Sequence, residues 1–577
     1  MFTATAVQVF IAFFKFGLYH YWVYPAHDHP MHTGLTSRKL LYLSWGLYVS
    51  LVARIIIWAV TMRFQLPQSP LVDNDTPGYI NPALSMLTGS GYVHEHGRNF
   101  VYPGLLFLLL HTFGDFRAIA VFQHVLGILG GGLLLLTWER ASLFLRSSPI
   151  PKPFYRALGL VLTVAYLAST KPMLFESQIR PESVFAFFAI LSLFLNVEFI
   201  RVRFLEHKKT QSFVFGILSL FTAVLLNCLR PAWGFGVIFS SLPVLVSLLD
   251  GAESVRRKCS LIGTAVFLIL AFLIFPEKYL SKDDREKETF GARVVFAIHA
   301  DMIRDQIGAD LADGSDTPYP KDWLASVQAA LSSDIEKTAA FPQESLGFNS
   351  DYIMWEDSSF NKITHDFGGD PHKVATFCWY YYRRTVLHQP WRMTQKILRQ
   401  MQEFYTVPCP VYQKREHQPL KIAKTYEKSS RVLSGYMSGV TIWGGVRDYL
   451  ARCELIKTTN VSIPGRGWAG VLHRLLGSSY LACLITAITV NLLMLAFPRW
   501  RSQLGTFALF TLLVYSYNFG NCLTAAIVHT LEVRRYSHAQ LGFTMLAQFL
   551  TFLLLLEVAV LGWKEIVQRF RAKGGRV

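Results

Sequence analysis

The stretch Leu541-Gly-Phe-Thr-Met-Leu-Ala-Gln-Phe-Leu-Thr-Phe-Leu-Leu-Leu-Leu-Glu-Val-Ala-Val-Leu561 decides the fold. It runs for 21 residues with one formal charge, Glu557. As a helix rising about 1.5 Å per residue it would span roughly 31 Å, close to the thickness of a bilayer's hydrocarbon core. Working outward from it, comparable apolar runs occupy residues 41–62, 116–136, 183–200, 233–249, 261–275, 480–497 and 507–528, with shorter ones at 157–168 and 213–226. Together they predict an α-helical polytopic membrane protein with about ten crossings. Composition agrees. The 577-residue chain is 52% hydrophobic and only 16% charged, with mean hydropathy +0.30, where a soluble chain carries about a quarter charged residues.

The net charge of +17 would suit a nucleic-acid binder, but its distribution follows membrane topology. Basic residues crowd every second connector. They are Arg38 and Lys39; Arg140, Arg146, Lys152 and Arg156; Arg201, Arg203, Lys208 and Lys209; Arg256, Arg257 and Lys258; Arg499 and Arg501; and a terminal group from Lys564 to Arg576. Lys and Arg accumulate on cytoplasmic connectors. Ten crossings with both ends inside account for the pattern, and no nucleic-acid partner is required. The intervening connectors then face outward: residues 63–115, 169–182, 227–232, a domain at 276–478, and 529–540.

By this division residues 1–40 form an N-terminal interfacial segment, with an eleventh crossing as the alternative. Residues 41–275 form the membrane core, 479–563 the closing membrane helices and 564–577 a basic cytoplasmic tail. The domain at 276–478 reads as extracytoplasmic and mixed or mostly helical, and its roughly 200 residues suffice to bury a core. Seven cysteines contain no CxxC pair, so no zinc site is indicated. Cys378, Cys409 and Cys453 fall in the exported domain, where a disulfide is chemically permitted and free buried thiols are the alternative. Gly130-Gly131-Gly132 lies inside an apolar run and suits close helix packing.

Residues able to carry chemistry gather on the outward side. The first connector contains Leu71-Val-Asp-Asn-Asp-Thr-Pro-Gly-Tyr79 and Val101-Tyr-Pro-Gly104; the last contains Glu532-Val-Arg-Arg-Tyr536. A carboxylate at the membrane rim can take the proton of an acceptor hydroxyl. Arginine's planar fork matches phosphate oxygens. Arginines stand at three outward span ends, Arg180 before Pro181-Glu182, Arg230 before Pro231, and Arg534-Arg535 before Tyr536, where the inside-positive bias does not favour them. Without a ligand, Asp73 and Asp75 read as helix-capping loop acids, and the arginines as snorkelling or paired with Glu176, Glu182 or Glu532.

Asp75-Thr76-Pro77-Gly78-Tyr79, then Tyr102-Pro103, then the Glu532 to Tyr536 element, in that order and on one side, resembles the C-type (GT-C) membrane glycosyltransferases. These include the protein O-mannosyltransferases and the lipid A aminoarabinose transferases. In that superfamily the Asp–Ser/Thr–x–x–Tyr element begins a juxtamembrane helix, and a Tyr-Pro or Pro-Pro element starts a second. The likeness covers the membrane layout and not the exported domain. It implies Asp75 as catalytic base with Asp73 as its substitute, and Arg180, Arg230, Arg534 and Arg535 at the donor phosphate. Glu182, Glu532, Tyr79 and Tyr102 would orient substrate. The implied reaction is an inverting transfer of a hexose or pentose from undecaprenyl or dolichyl phosphate to a hydroxyl of a glycan, lipid or protein on the extracytoplasmic side. No nucleotide-binding glycine loop is expected with such a donor, and none is present. Some relatives use a divalent ion, which leaves metal dependence open.

Other motifs carry less. The histidines of His94-Glu95-His96 share a face only in a strand and have no evident third ligand; His299 and Asp301 offer no more. The run Trp379-Tyr-Tyr-Tyr382 could stack on sugars, but its helical setting favours packing. Asn74-Asp-Thr and Asn460-Val-Ser are glycosylation sequons. A glycan on Asn74 would block Asp75, which favours a bacterial inner-membrane protein with its site facing the periplasm or exterior. Two rival readings remain. A transporter or flippase would show ionisable or broken mid-membrane segments and repeated halves. A non-catalytic assembly subunit would have no need of acids and arginines on one rim.

Overall fold

The computed structural model describes residues 35–574 except 96–97, 146–147, 252–253, 281–284, 344, 437–442 and 529–532. The interfacial segment expected at the N-terminus lies outside the described residues up to position 34. Regular structure in the described chain is helical, apart from a two-residue antiparallel pair, Leu420–Lys421 with Ser462–Ile463, and one parallel bridge between Leu71 and Gln178.

Among the described residues, eight helices are long and apolar enough to cross a membrane: Leu43–Phe64, Arg117–Phe144, Glu182–Leu205, Lys209–Leu229, Pro231–Leu248, Val255–Leu280, Gly467–Met494 and Leu541–Gln568. The count becomes nine if Lys152–Ala168 and Thr170–Glu176, bent by 53°, form one broken span. Ten were expected, and the difference has two sources. Residues 157–168 are the first arm of that bent pair. Residues 507–528 belong to helix Pro498–Val528, whose Tyr515, Tyr517, Asn518 and Asn521 lower its hydropathy yet are buried in the bundle. Asn196 Nδ2 donates to Tyr517 Oη at 2.8 Å, and Tyr480 Oη donates to Asn518 Oδ1 at 2.8 Å. This helix presents its polar groups to protein, where hydrogen bonds meet Tyr515, Tyr517 and Asn518 but not Asn521.

Helix packing explains the glycines. A Cβ on Gly131 would come within 2.6 Å of Leu167, and one on Gly127 within 2.0 Å of Glu176 Oε1. Glu176 itself is locked in the bundle. Arg63 Nε and Nη2 donate to its two oxygens at 2.7 and 2.9 Å, and His124 Nδ1 lies 3.0 Å from Oε2. The basic connectors sit at the opposite helix ends from Glu182 and Arg230. There Arg140 and Arg201 each reach Glu198 at 2.9 Å.

The segment expected as one exported domain divides its packing. Residues between Ala292 and Tyr381 build a core of their own. Residues between Cys409 and Ile463 instead join the core of the membrane bundle, together with the first connector. Each of the seven cysteines is free.

Candidate active site

The site begins with backbone. Leu71 N donates to Ser177 O at 2.6 Å and Ile179 N donates to Leu71 O at 2.9 Å, so the first connector is zipped to the one that follows Thr170–Glu176. The segment before the acids is clamped from a third direction. Tyr426 Oη donates to Ser69 O at 2.7 Å, Tyr449 Oη donates to Pro70 O at 2.7 Å, and Ser429 Oγ accepts from Val72 N at 2.8 Å. These contacts bring Asp73 and Asp75 beside Arg180.

Asp75 and Thr76 immediately precede helix Pro77–Leu87, and Tyr102-Pro103 lies in the first turn of helix Val101–Phe113. Both helices start where the motif spacing puts them. Without a ligand, both acids were expected to cap the helix start. Instead, the Thr76 hydroxyl lies between Asp73 Oδ1 and Ile179 O, 3.3 Å from each, and Asp73 Oδ1 accepts the Asp75 amide at 3.1 Å. Asp73 therefore organises the turn and leaves the Asp75 carboxylate to the arginines.

Three guanidiniums meet Asp75. Arg535 Nη1 donates to Oδ2, Arg180 Nη2 stands 3.3 Å from the same oxygen, and Arg98 Nη2 stands 3.7 Å from Oδ1. Arg180 also pairs with Asp73, and Arg535 Nε donates to Glu182 Oε1 at 2.9 Å. The acids differ in access: the side chain of Asp75 is 34% exposed, against 17% for Asp73 and 1% for Glu182. Asp75 alone of the three combines a reachable oxygen with the cationic cluster. Burial pushes the Asp75 carboxyl upward, but the charges of Arg535, Arg180 and Arg98 outweigh it and hold the group below the usual aspartate range.

Arg230 completes the cluster. It ends the helix Lys209–Leu229 and is 4% exposed, its guanidinium between the rings of Phe185 at 5.1 Å and Tyr536 at 4.9 Å. Its Nη1 and Nη2 are buried without a hydrogen-bond partner. Among the described residues, Asp73, Asp75 and Glu182 stand with Arg98, Arg180, Arg230 and Arg535, three acids to four arginines.

The remaining expected residues separate. Tyr79 lies under Arg98, 4.7 Å from ring centroid to guanidinium, and meets Tyr102 edge-on at 5.4 Å. Tyr102 was expected to orient substrate, but it is 2% exposed and directs its hydroxyl to Gln123 Oε1 at 3.4 Å. Gln123 in turn donates to Gln178 O at 2.8 Å, so Tyr102 is a strut beneath the connector rather than a wall of the site. Glu532 and the side chain of Arg534 lie outside the described residues. Glu95 accepts from Asn81 at 3.0 Å, His96 lies outside the described residues, and no metal-holding group of acids, histidines and cysteines occurs among those described. His299 is buried with Nδ1 on Val295 O at 2.7 Å, Asp301 stands 3.6 Å from Arg392, and Tyr381 is fully buried in the 292–381 core.

Arg98 escaped the sequence reading, which singled out arginines at span ends, whereas Arg98 lies within the connector at residues 63–115. The clamp residues Tyr426, Ser429 and Tyr449 carried no such signal. No family model, curated protein or solved structure matches the chain.

Proposed function

We propose that the protein is an inverting glycosyltransferase using a polyprenyl-phosphate-linked sugar, acting at the extracytoplasmic rim of the membrane. The observation that carries this reading is Arg230, a buried guanidinium with two unmet Nη donors, linked to a solvent-reachable Asp75 through the Glu182 charge and Arg535. A buried unpaired cation is costly, and a phosphate monoanion or dianion is the ligand that its planar fork fits best. In the reaction the acceptor hydroxyl oxygen forms the new bond to the anomeric carbon while the bond from that carbon to the phosphate oxygen breaks. The electron pair leaves on the phosphate, where Arg230, Arg180 and Arg535 stabilise the growing charge. The acceptor proton passes to Asp75.

A donor with a long isoprenoid tail fits a cation cluster at helix ends, since the tail stays in lipid while the phosphate reaches the rim. Undecaprenyl and dolichyl carriers satisfy this equally, and the acceptor is a hydroxyl of glycan, lipid or protein. A bacterial inner membrane, with the cluster facing the periplasm, is the location this reading favours. The test is incubation of purified protein with a panel of polyprenyl-phosphate sugars, following release of polyprenyl phosphate. Release by wild type and its loss in Asp75→Asn support the proposal. Absence of release from every donor, in the presence of mixed acceptors, would remove it.

A further inference from the structure

Arg230 is not alone in lacking partners. Trp233 Nε1, both side-chain polar atoms of Asn521, and Glu182 Oε2 are also buried without a hydrogen-bond partner. All four residues are at most 4% exposed. Arg230 and Trp233 belong to one knot of aromatic rings, and Glu182 and Asn521 lie one helical turn from its members Phe185 and Tyr517. The Arg230 guanidinium lies 5.1 Å from Phe185, Phe185 meets Trp233 edge-on at 5.2 Å, and Trp233 meets Tyr517 at 5.5 Å. Glu182 stands one turn before Phe185 on the same helix. Asn521 follows Tyr517 by four residues and precedes Thr524 by three, so the three share one face of helix Pro498–Val528. Thr524 Oγ1 accepts the Phe235 amide at 2.9 Å, which turns that face, Asn521 included, onto the Trp233 turn.

Native interiors leave few polar atoms unmet, and here several gather around one set of rings. Their chemistry selects the occupant. A phosphate offers only acceptors, so it suits Arg230 but not Asn521 Oδ1 or Glu182 Oε2. Sugar hydroxyls both donate and accept, and the C–H face of a pyranose packs on aromatic rings. We propose that Glu182, Trp233 and Asn521 form the subsite for the glycosyl head group of the donor, adjoining the phosphate at Arg230. This rests on the transfer reading above and adds the residues that read the sugar.

The test separates the two. Affinities are measured in detergent for polyprenyl phosphate alone and for the same carrier bearing mannose, glucose or aminoarabinose. Wild-type protein should bind at least one glycosylated carrier about ten-fold more tightly than the bare one, a preference of the size that hydrogen bonds to substrate hydroxyls support. Asn521→Leu and Trp233→Phe should erase that preference while the affinity for bare carrier stays unchanged. Trp233→Phe removes one N–H and keeps a ring, and unchanged bare-carrier affinity shows that each variant is folded. Retention of the preference in both variants, or its absence in wild type, overturns the subsite. Failure of wild type to bind bare polyprenyl phosphate removes the donor reading beneath it.

Discussion

Asp75 and Arg535 stand 460 positions apart in the chain and meet side chain to side chain, Nη1 on Oδ2. The same guanidinium holds Glu182 through Nε at 2.9 Å. The most accessible carboxylate of the cluster is therefore tied by a cation that an arriving phosphate would also seek. In the proposed reaction, donor binding would loosen the Arg535 hold on Asp75 and so couple to release of the base.

Asp75→Asn keeps the shape and removes the proton acceptor. Sugar transfer should fall by about 10²- to 10⁴-fold, the usual contribution of a positioned base. Binding of polyprenyl phosphate should persist, because the arginines remain. Measuring transfer and carrier affinity on the same preparation checks both halves, and equal turnover by variant and wild type would exclude Asp75 as the base.

The pH dependence follows from the sign of the Asp75 shift. Its carboxyl is held below the ordinary aspartate value of about 3.9 by the surrounding arginines, despite burial. The charged, proton-accepting form therefore survives to lower pH than usual and is lost only as pH falls through the depressed value. The acid limb of kcat/KM, which reports free protein, should lie below the normal carboxylate range. A bound phosphate offsets the arginine charge, so the acid limb of kcat should lie at higher pH than that of kcat/KM. Coincident limbs would disconnect Asp75 from the phosphate site.

Arg230→Gln removes the unpaired cation and leaves its ring cage. Carrier affinity should fall roughly ten-fold or more, since a hydrogen bond to a charged group contributes about 1.5–3 kcal/mol. Arg98 stands 3.7 Å from Asp75 and lies over the Tyr79 ring, so Arg98→Gln should alter carrier affinity less. Titration of each variant with bare polyprenyl phosphate gives the order, and a larger loss at Arg98 would relocate the phosphate.

What sequence made legible was local. Apolar length marked the crossings, and the Asp75 to Tyr79 and Tyr102-Pro103 elements marked two helix starts that occur at Pro77 and Val101. Span ends on one side marked Arg180, Arg230 and Arg535. Partner choice was not legible, because it depends on contacts across hundreds of residues. Tyr102 turns away to Gln123, Asp73 caps the turn, and Glu176 belongs to Arg63 instead of the rim. Helix Pro498–Val528 shows the same limit: its apolar length marked residues 507–528 as a crossing, but the neighbours that meet Tyr517 and Asn518 were not readable.

The Arg63–Glu176 pair tests the bundle apart from the site. Both side chains are at most 2% exposed. Arg63→Met strands a buried carboxylate beside His124 and should destabilise the protein by about 3–5 kcal/mol. Replacing both residues by methionine should recover most of that loss. A melting curve in detergent reads the comparison, and a single variant as stable as wild type would show that the pair is not the joint it resembles.

Ser429 tests positioning without touching substrate. Its hydroxyl accepts from Val72 N at 2.8 Å and donates to Val72 O at 3.0 Å, one residue before Asp73. Ser429→Ala leaves the acids and arginines in place and loosens only the strand that carries Asp75. Because small displacements of a reacting group cost rate steeply, kcat should drop about ten-fold while the donor KM stays near the wild-type value. Tyr449→Phe, which frees Pro70 O, should act in the same direction. If donor KM rises in step with the fall in kcat, the clamp supports the arginines as well as the base. The positioning account of residues 69–72 would then give way to one in which the whole rim shifts.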